Sequence, residues 1–316
     1  MQVSKQQQDS RTDKPVSLCP RGEEFKLPEE IDYQKEFKRL QRHVKEERLK
    51  GREIVVVMGV GFVGAVMAGV VADSVNADGQ PNKFVIGMQR PSTRSYWKIP
   101  YINRGIAPVE AEDPEVAPLI ERCVKQKKTL IATYTYDALS LADVVIVDVQ
   151  CDYFKETFGD VRQGHADIAA LEDSLKIIGE KISPECLVLI ETTVPPGTTE
   201  YVAYPIVKKA FEKRGLTDTE PLLSHSFERV MPGRNYVASV RDFWRVCSGI
   251  NATARKRVRE FLSEILNVEQ YPLTVLDRPI ESETCKIVEN SFRATLLAFL
   301  DEWSVFAERN GVDLIK

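Results

Sequence analysis

A glycine triplet directly after a short apolar run is the feature that most restricts the fold of this chain. The run Glu53–Met58 is followed by Gly59, Gly61 and Gly64 in the spacing G-x-G-x-x-G, and an apolar pattern rich in Ala and Gly comes next. A strand, a glycine turn and a helix in this order favour a dinucleotide pyrophosphate site over an ordinary turn. The helix N-terminus presents free N–H groups and a partial positive charge to the phosphates.

Apolar, β-branched segments alternate with amphipathic ones from Glu53 to Ile250. This alternation predicts an α/β fold with a Rossmann-type, doubly wound parallel sheet, followed by a long connecting helix. Strands are predicted at Glu53–Met58, Lys83–Met88, Thr129–Thr133, Asp143–Val149, Cys186–Glu191, Leu222–His225 and Arg245–Ile250. Helices are predicted at Gly61–Ser74, Pro114–Lys127, Ala166–Ile182 and Thr198–Lys213.

The sequence divides into three regions. Residues 1–50 form an N-terminal extension, of which the first 30 or so are polar and predicted to be mobile, whereas Tyr33–Lys50 is a charged helical pattern expected to lie on the first domain. Residues 51–250 are the predicted dinucleotide-binding domain. The region 251–316 is predicted to be helical, with segments at Asn251–Leu266 and Glu281–Asn310, an extended piece at Gln270–Leu276, and Gly311 as a natural helix stop.

Composition excludes several classes of function. The chain has 316 residues, 28% charged and 43% apolar, with a net charge of −4. No basic field indicates a nucleic-acid partner, no apolar run suits a membrane span, and the polar N-terminus is unlike a secretory signal. The six cysteines lack C-x-x-C spacing, which argues against a metal site or a disulfide framework and favours a reduced, cytoplasmic protein.

Four further segments carry polar groups at predicted strand ends or on the long helix. They are Val149–Asp152, ETTVPPGTT from Glu191, SFERVMPG from Ser226, and KIVEN from Lys286 to Asn290. Ligands bind beyond the carboxyl ends of strands in open α/β sheets. Lys286 and Asn290 are four residues apart on a helix, so they share one face and together can stabilise an oxyanion. Taken alone, these segments also fit a capped strand-to-helix loop and solvated ion pairs.

In this order the segments resemble the UDP-glucose/GDP-mannose dehydrogenase family, the nucleotide-sugar 6-dehydrogenases. GVGFVG, Asn103-Arg104-Gly105, ETTVPPGTT, SFERVMPG and KIVEN carry the resemblance, which runs from about Glu53 to the last residue. It implies oxidation of the C6 alcohol of a UDP- or GDP-sugar to a carboxylate, with two hydride transfers to NAD(P), in polysaccharide biosynthesis. The motif Phe227-Glu228-Arg229 with Pro232-Gly233 is closer to the members that act on UDP-N-acetylhexosamines.

The resemblance also assigns roles to residues. The catalytic set would be Lys286 as acid/base or oxyanion stabiliser, Asn290 beside it, Glu228 assisting hydrolysis of the acyl intermediate, and Thr193 acting through water. The cofactor-binding set would be Gly59, Val60, Gly61, Phe62, Val63, Gly64, Gln89, Arg90, Arg94, Val149, Gln150, Cys151, Thr192 and Thr193. The long helix would form a homodimer, and no metal is implied.

One departure concerns the cofactor. Where the family carries an Asp for the adenosine ribose, this chain has Gln89, followed by Arg90 and, further on, Arg94. Losing the carboxylate removes its repulsion of a 2′-phosphate, and guanidinium groups attract one. The hypothesis is that the chain binds NAD, with a cofactor preference that is relaxed or leans towards NADP. The alternative is that Arg90 faces solvent and Gln89 still bonds the ribose.

A second departure concerns the nucleophile. The family's cysteine lies in a G-x-C-x-x-K-D-type segment of a C-terminal nucleotide-sugar-binding domain, and this sequence ends before such a segment. We therefore expect a truncated piece of a longer enzyme that is inactive alone in the two-step oxidation. Two alternatives stay open: a non-catalytic dinucleotide-binding dimerisation module, and a β-hydroxyacid dehydrogenase that needs no cysteine.

Overall fold

The structure, a computed structural model, describes residues 15–157, 162–230 and 233–314. Its elements, in chain order, are β1 (Val16–Leu18), β2 (Glu24–Lys26), α1 (Glu30–Leu49), β3 (Glu53–Met58), α2 (Phe62–Asp73), β4 (Lys83–Met88), α3 (Lys98–Asn103), α4 (Val116–Glu121), β5 (Leu130–Thr133), β6 (Val144–Val147), β7 (Asp152–Phe154), β8 (His165–Asp167), α5 (Ala169–Lys181), β9 (Leu187–Ile190), α6 (Tyr204–Lys213), β10 (Leu222–Ser226), α7 (Tyr236–Arg241), β11 (Val246–Gly249), α8 (Ala252–Ile265), β12 (Thr274–Val275) and α9 (Pro279–Asn310). Wider helical turns at Arg122–Gln126 and Thr199–Ala203 extend α4 and precede α6.

The central sheet of the described chain has eight strands in the order β12-β11-β10-β9-β6-β3-β4-β5. All neighbouring pairs are parallel except β10 and β11, where Ser224 lies opposite Gly249. The predicted Rossmann-type, doubly wound parallel sheet is confirmed, with one antiparallel pair between β10 and β11. After β10 the chain stays at the carboxyl end of the parallel strands and forms α7, which packs against α2. It then enters β11 from that same end.

Helices cover both faces of the sheet, as a doubly wound fold requires. Along β3 the side chains alternate: Val55 and Val57 belong to the core under α2, α7 and α8, whereas Ile54, Val56 and Met58 belong to the core under α1, α5 and α6. Each fully buried aliphatic side chain of this kind stabilises the fold by about 1.5–3 kcal/mol. The continuous apolar run is therefore explained by burial on both faces.

The N-terminal extension is ordered from Pro15 onward, so the prediction of a mobile segment is wrong for residues 15–30; residues 1–14 lie outside the described chain. Strands β1 and β2 form an antiparallel hairpin. Phe25 stacks edge-on against Tyr101 with ring centroids 5.9 Å apart, and the backbone N–H of Trp97 donates to Ser17 Oγ at 3.2 Å. Tertiary contacts with these aromatic rings, rather than local propensity, hold the hairpin.

The extension also covers the edge strand β5. Asn103 makes both hydrogen bonds to the backbone of Ala132, at 2.7 and 3.0 Å, and Arg39 of α1 donates to the same carbonyl at 3.2 Å. The hydroxyl of Thr133 donates to Glu36 at 2.7 Å. The predicted placement of the charged helix on the first domain is confirmed, and side chains satisfy both backbone groups of Ala132 at this strand edge.

Helix α9 is the long helix of the fold, and it ends at Asn310 with Gly311 in the left-handed conformation at φ 66°. Its first two turns are packed against the sheet, with Ser282, Glu283 and Lys286 buried. Further along, large apolar side chains are exposed at Val288, Phe292, Leu296, Leu297, Phe299, Leu300, Trp303, Val305 and Phe306. No helix within the described residues has the length and apolarity to cross a bilayer.

Candidate functional site

The glycine turn joins β3 to α2 and has the geometry of a phosphate cradle. Gly59 has φ +105°, and an added Cβ would lie 2.4 Å from the carbonyl oxygen of Asp148. A Cβ on Gly64 would lie 1.9 Å from the carbonyl oxygen of Gly59, so neither position admits a side chain. At Gly61, the residue before α2, an added Cβ meets no atom within 4 Å. The turn is therefore closed towards the protein and open at the helix N-terminus, where free N–H groups favour an anion.

The other residues of the turn shape its walls. Val60 is buried, and Val63 is half-buried. Phe62 is 40% exposed and stacks on Tyr236 with ring centroids 4.7 Å apart. The hydroxyl of Tyr236 donates to the carbonyl of Phe62, which fixes α7 to the start of α2.

The predicted ribose-binding segment follows β4. Gln89 is half-buried, and its Oε1 accepts a hydrogen bond from the backbone N–H of Val60 at 3.2 Å. Arg90 and Arg94 are exposed. Arg90 lies close enough to Tyr136 to oppose the increase in the Tyr136 pKa that burial causes. The neutral amide of Gln89 thus lies beside the turn, and the guanidinium groups of Arg90 and Arg94 follow it in the sequence.

The segments after β6 and β9 are joined to each other. The hydroxyl of Thr192 bonds the carbonyl of Val149 at 2.8 Å and that of Val147 at 3.1 Å. Thr193 and Val149 are half-buried, Gln150 is exposed, and β7 begins two residues after Gln150. Burial raises the pKa of the half-buried Cys151 to about 11, so its thiol is protonated at neutral pH. These segments form one wall beside the glycine turn.

Lys286 of α9 meets the segment after β10. Its ammonium donates to the backbone carbonyl of Glu228 at 2.9 Å and lies 3.6 Å from the Glu228 carboxylate. It also lies 5.4 Å from the ring centre of Phe227. A buried cation and a carboxylate from distant parts of the sequence therefore meet at the carboxyl edge of the sheet, where alcohol chemistry needs a charge stabiliser and a base.

The remaining residues of these two motifs are placed differently. Asn290, one turn after Lys286, is exposed. Arg229 pairs with Glu289 of α9 and lies 4.7 Å from the ring centre of Phe243, so the idea of a solvated pair with its neighbour Glu228 is wrong. Pro232, part of the hexosamine-type motif, lies outside the described residues.

A buried ionic layer lies beneath these groups. Arg245, only 2% exposed, pairs with the fully buried Glu191 and donates from Nε to the carbonyl of Phe227 at 3.1 Å. Burial lowers the pKa of Arg245 to about 10, against the pull of Asp148. Burial raises the pKa of Asp148 to about 7; the charge of Glu228 adds to this increase and Arg245 opposes it. The charged side chains of Asp148, Glu191 and Arg245, each at the end of a strand, thus lie close together where burial shifts their pKa values or removes them from solvent.

Two more buried groups connect α9 to the sheet. Glu283 accepts hydrogen bonds from the backbone N–H groups of Gly197 and Thr199 and from the Thr199 hydroxyl. Burial raises the pKa of Glu283, and these hydrogen bonds oppose the increase. His225 Nδ1 lies 2.7 Å from the hydroxyl of Ser282, and burial, with the nearby charge of Lys286, lowers the pKa of this imidazole to about 3.

Sequence reasoning singled out the segment that begins at Glu191 without giving Glu191 a role, and it missed Asp148, Arg245 and Glu283 as members of the site. A signal existed, because a carboxylate ends two apolar strands and an arginine opens a third. Such residues are ordinary at strand ends, and only the fold shows that they meet. No group of three metal-ligating side chains occurs within the described part of the chain.

The mostly parallel sheet, the open glycine turn and the Lys286–Glu228 pair at its carboxyl edge define a Rossmann-type domain of the dehydrogenase class. A profile for the NAD-binding domain of the UDP-glucose/GDP-mannose dehydrogenase family matches residues 53–266. The chain belongs to this family, which confirms the resemblance.

Curated relatives agree with this assignment. The chain is 26% identical over 263 residues to UDP-N-acetyl-D-mannosamine dehydrogenase of Pyrococcus horikoshii, covering 82% of this chain and 55% of that protein. It is 23% identical over 227 residues to UDP-glucose 6-dehydrogenase of Rickettsia prowazekii, covering 68% and 49%. The chain spans about half the length of these relatives.

Solved structures are similar over the same span. An NDP-N-acetyl-D-galactosaminuronic acid dehydrogenase from Methanosarcina mazei superimposes with a TM-score of 0.67 at 28% identity, covering 85% of this chain and 52% of that one. A ternary complex of GDP-mannose dehydrogenase from Pseudomonas aeruginosa gives a TM-score of 0.65 at 22% identity, covering 82% and 54%, and shows the shared fold.

Proposed function

We propose that this site belongs to a nucleotide-sugar 6-dehydrogenase, which oxidises the C6 alcohol of a UDP- or GDP-sugar to a carboxylate with two NAD(P). The contact between Lys286 and Glu228 carries the proposal. The two side chains come from α9 and the segment after β10, and they lie 3.6 Å apart. They are beside the wall that the segments after β6 and β9 form next to the glycine turn. A dinucleotide module without catalysis has no need of a desolvated lysine at this position.

The chemistry follows from the placement of these two groups. A nicotinamide bound beyond the strand ends supplies the hydride acceptor. As the alcohol loses its proton, the ammonium of Lys286 stabilises the negative charge on oxygen, and the low-exposure setting strengthens that interaction. Glu228, with its carboxylate within reach of Lys286, serves as the base that activates water for hydrolysis of the acyl intermediate after the second oxidation. Thr193 and Asn290 are the further catalytic residues of the proposal.

The second oxidation also needs a nucleophile to hold the sugar as an acyl group. Cys123, Cys186 and Cys247 are buried, and burial raises the pKa of each thiol. The half-buried Cys151 has a raised pKa as well, and a protonated thiol is a poor nucleophile. We therefore expect these four thiols not to support the two-step reaction, and we propose that the chain by itself does not complete it.

Support for a UDP-N-acetylhexosamine substrate comes from the relatives. UDP-N-acetyl-D-mannosamine dehydrogenases match over 82% of the chain, and the solved structure at 28% identity is named an NDP-N-acetyl-D-galactosaminuronic acid dehydrogenase. The Phe227-Glu228-Arg229 motif points to the same subclass. We infer a role in making uronic acid precursors for polysaccharides in the cytoplasm.

For the cofactor we infer NAD, with NADP as a second option. Gln89 brings no negative charge to the ribose position, and Arg90 and Arg94 are exposed where they can reach a 2′-phosphate. The hydrogen bond from Val60 to Gln89 supports the alternative in which the amide stays on the turn and bonds the ribose. Dissociation constants for NADH and NADPH compare the two directly, and a strong preference for NADH removes the NADP option.

We further propose that α9 forms a homodimer. Its second half exposes Phe299, Trp303 and Phe306 on one surface, together with Leu296. Apolar patches of this kind mark association surfaces in soluble proteins. A second copy of the same helix offers the matching surface.

The test is a screen of the chain, together with any polypeptide encoded after it, against UDP- and GDP-sugars and small hydroxy acids. Formation of two reduced cofactors per nucleotide sugar, lost in Lys286→Ala, supports the proposal. Reduction with hydroxy acids alone supports a β-hydroxyacid dehydrogenase. Cofactor binding without reduction by any substrate supports the non-catalytic module. Gly61→Ala is the matched binding control, because its methyl group fills the open turn and leaves the fold intact.

A further inference from the structure

Asp148 lies directly behind the glycine turn, although neither the turn motif nor the strand pattern singles it out. Its backbone N–H donates to the carbonyl of Met58 at 2.9 Å, which places it level with the end of β3. Its Oδ2 and Cβ each lie 3.1 Å from the position of a Cβ on Gly64, in the first turn of α2. The side chain therefore occupies the space between the end of β6 and the helix start that faces the phosphates.

The carboxyl of Asp148 is only partly satisfied. Oδ2 is inaccessible to solvent, and no hydrogen bond reaches it from any residue that the structure describes. A buried oxygen without a partner costs about 1–3 kcal/mol, so such a group in a cleft is a candidate ligand contact. The Nη1 atom of the neighbouring Arg245 is also without a partner among the described residues.

The charges around Asp148 do not balance. A cluster of five charged groups surrounds this position, made of the carboxyl groups of Asp148, Glu191 and Glu228 and the cations Arg245 and Lys286. Arg245 is already paired with Glu191, and Lys286 lies beside Glu228. A further titratable neighbour, Tyr236 of α7, has a pKa raised by burial and by the two nearby carboxylates. A fully ionised site thus carries one excess negative charge before any diphosphate arrives.

We propose that Asp148 is a further cofactor-binding residue, which donates a hydrogen bond to the dinucleotide as a neutral acid and repels its diphosphate as a carboxylate. The choice of a dinucleotide as the ligand rests on the proposed function. The rest follows from the position: Asp148 as a whole is partly exposed, so a carboxyl this close to the turn meets the bound phosphates or the adjoining ribose. Only its protonated form offers a donor to those acceptor oxygens.

The proposal predicts a pH-dependent affinity. Because the pKa of Asp148 is about 7, the carboxylate accumulates above neutrality. If only the acid form binds well, the dissociation constant for NADH should rise about 30-fold between about pH 6 and pH 8.5. Titration of the chain with NADH at constant ionic strength, followed by nicotinamide fluorescence, measures this rise.

Two variants test the assignment. Asp148→Asn keeps the shape and a permanent N–H donor, so its affinity should stay within about 2-fold across the same range. Asp173→Asn removes an exposed carboxylate on α5, paired with Lys176 at 2.9 Å, and should keep the wild-type pH dependence. A wild-type rise that persists in Asp148→Asn overturns the proposal, and so does a wild-type affinity that is flat with pH.

A third variant keeps the test decisive if Asp148→Asn does not fold. Burial is the main cause of the raised pKa of Asp148, and Glu228→Gln removes the charge that adds to this increase, so the midpoint of the affinity curve should move to lower pH. An unmoved midpoint contradicts the proposal. Failure of the wild-type chain to bind NADH or NADPH at every pH overturns the proposed function as well, whereas pH-independent binding overturns only the role of Asp148.

Discussion

The hydrogen bonds of the Glu283 carboxylate connect α9 to the sheet, and their contribution to stability can be tested quantitatively. This fully buried side chain of α9 accepts three hydrogen bonds from the loop that follows β9, two from backbone N–H groups and one from the Thr199 hydroxyl. Glu283→Ala leaves three buried donors without their acceptor. At about 1–3 kcal/mol for each unsatisfied donor, partly offset by water entry, we expect a loss of about 4 kcal/mol in the free energy of unfolding.

Glu283→Gln separates the shape of the side chain from its acceptors. The amide oxygen replaces one carboxylate oxygen, but the NH₂ group faces a backbone donor, so we expect a loss of about 2 kcal/mol. Urea unfolding followed by circular dichroism gives these values. Glu308→Ala, an exposed acid on the same helix, is the matched control and should change stability by less than about 0.5 kcal/mol. A Glu283→Ala protein within about 1 kcal/mol of wild type would refute the reasoning.

Three further outcomes are expected. Gly64→Ala should lose at least about 2 kcal/mol of stability, since its Cβ overlaps a backbone oxygen, whereas Gly61→Ala should keep its melting temperature and lose NADH affinity. The folded His225 has a pKa of about 3 against 6.5 unfolded, so the unfolded chain binds a proton first and stability falls as pH drops through that window. Between about pH 7 and pH 5 the free energy of unfolding should fall by up to about 2 kcal/mol. Urea unfolding at both pH values measures this fall, which should be absent in His225→Asn. Trp303→Glu should convert a dimer to a monomer in sedimentation velocity, and an unchanged sedimentation coefficient would contradict the α9 surface.

The sheet was largely predictable from the sequence. The strands Glu53–Met58 and Lys83–Met88 are found at the predicted bounds, because runs buried on both faces leave little choice of register. Helix α7 and the two hairpins were missed. They are short, and long-range contacts hold the first hairpin and α7: Phe25 against Tyr101, and Tyr236 against the start of α2.

Only the part of the site that depends on local backbone geometry could be predicted from the sequence. The glycine turn follows from spacing, since two of its three positions have no room for a side chain. Asp148 and Arg245 were not foreseeable, because their altered pKa values arise from burial and from charges brought in by distant segments. A pattern along the sequence records neighbours in the chain, whereas desolvation is a property of neighbours in space.

The contacts at Ala132 have a practical consequence for anyone who trims this protein to the matched span of residues 53–266. Removing α1 and the hairpin takes away Arg39 and Glu36 and uncovers the outermost β-strand together with the rings of Trp97 and Tyr101. A bare strand margin next to exposed aromatic rings invites self-assembly between molecules. A minimal fragment should therefore start near Pro15, and one cut at the family boundary should be recovered largely as aggregates.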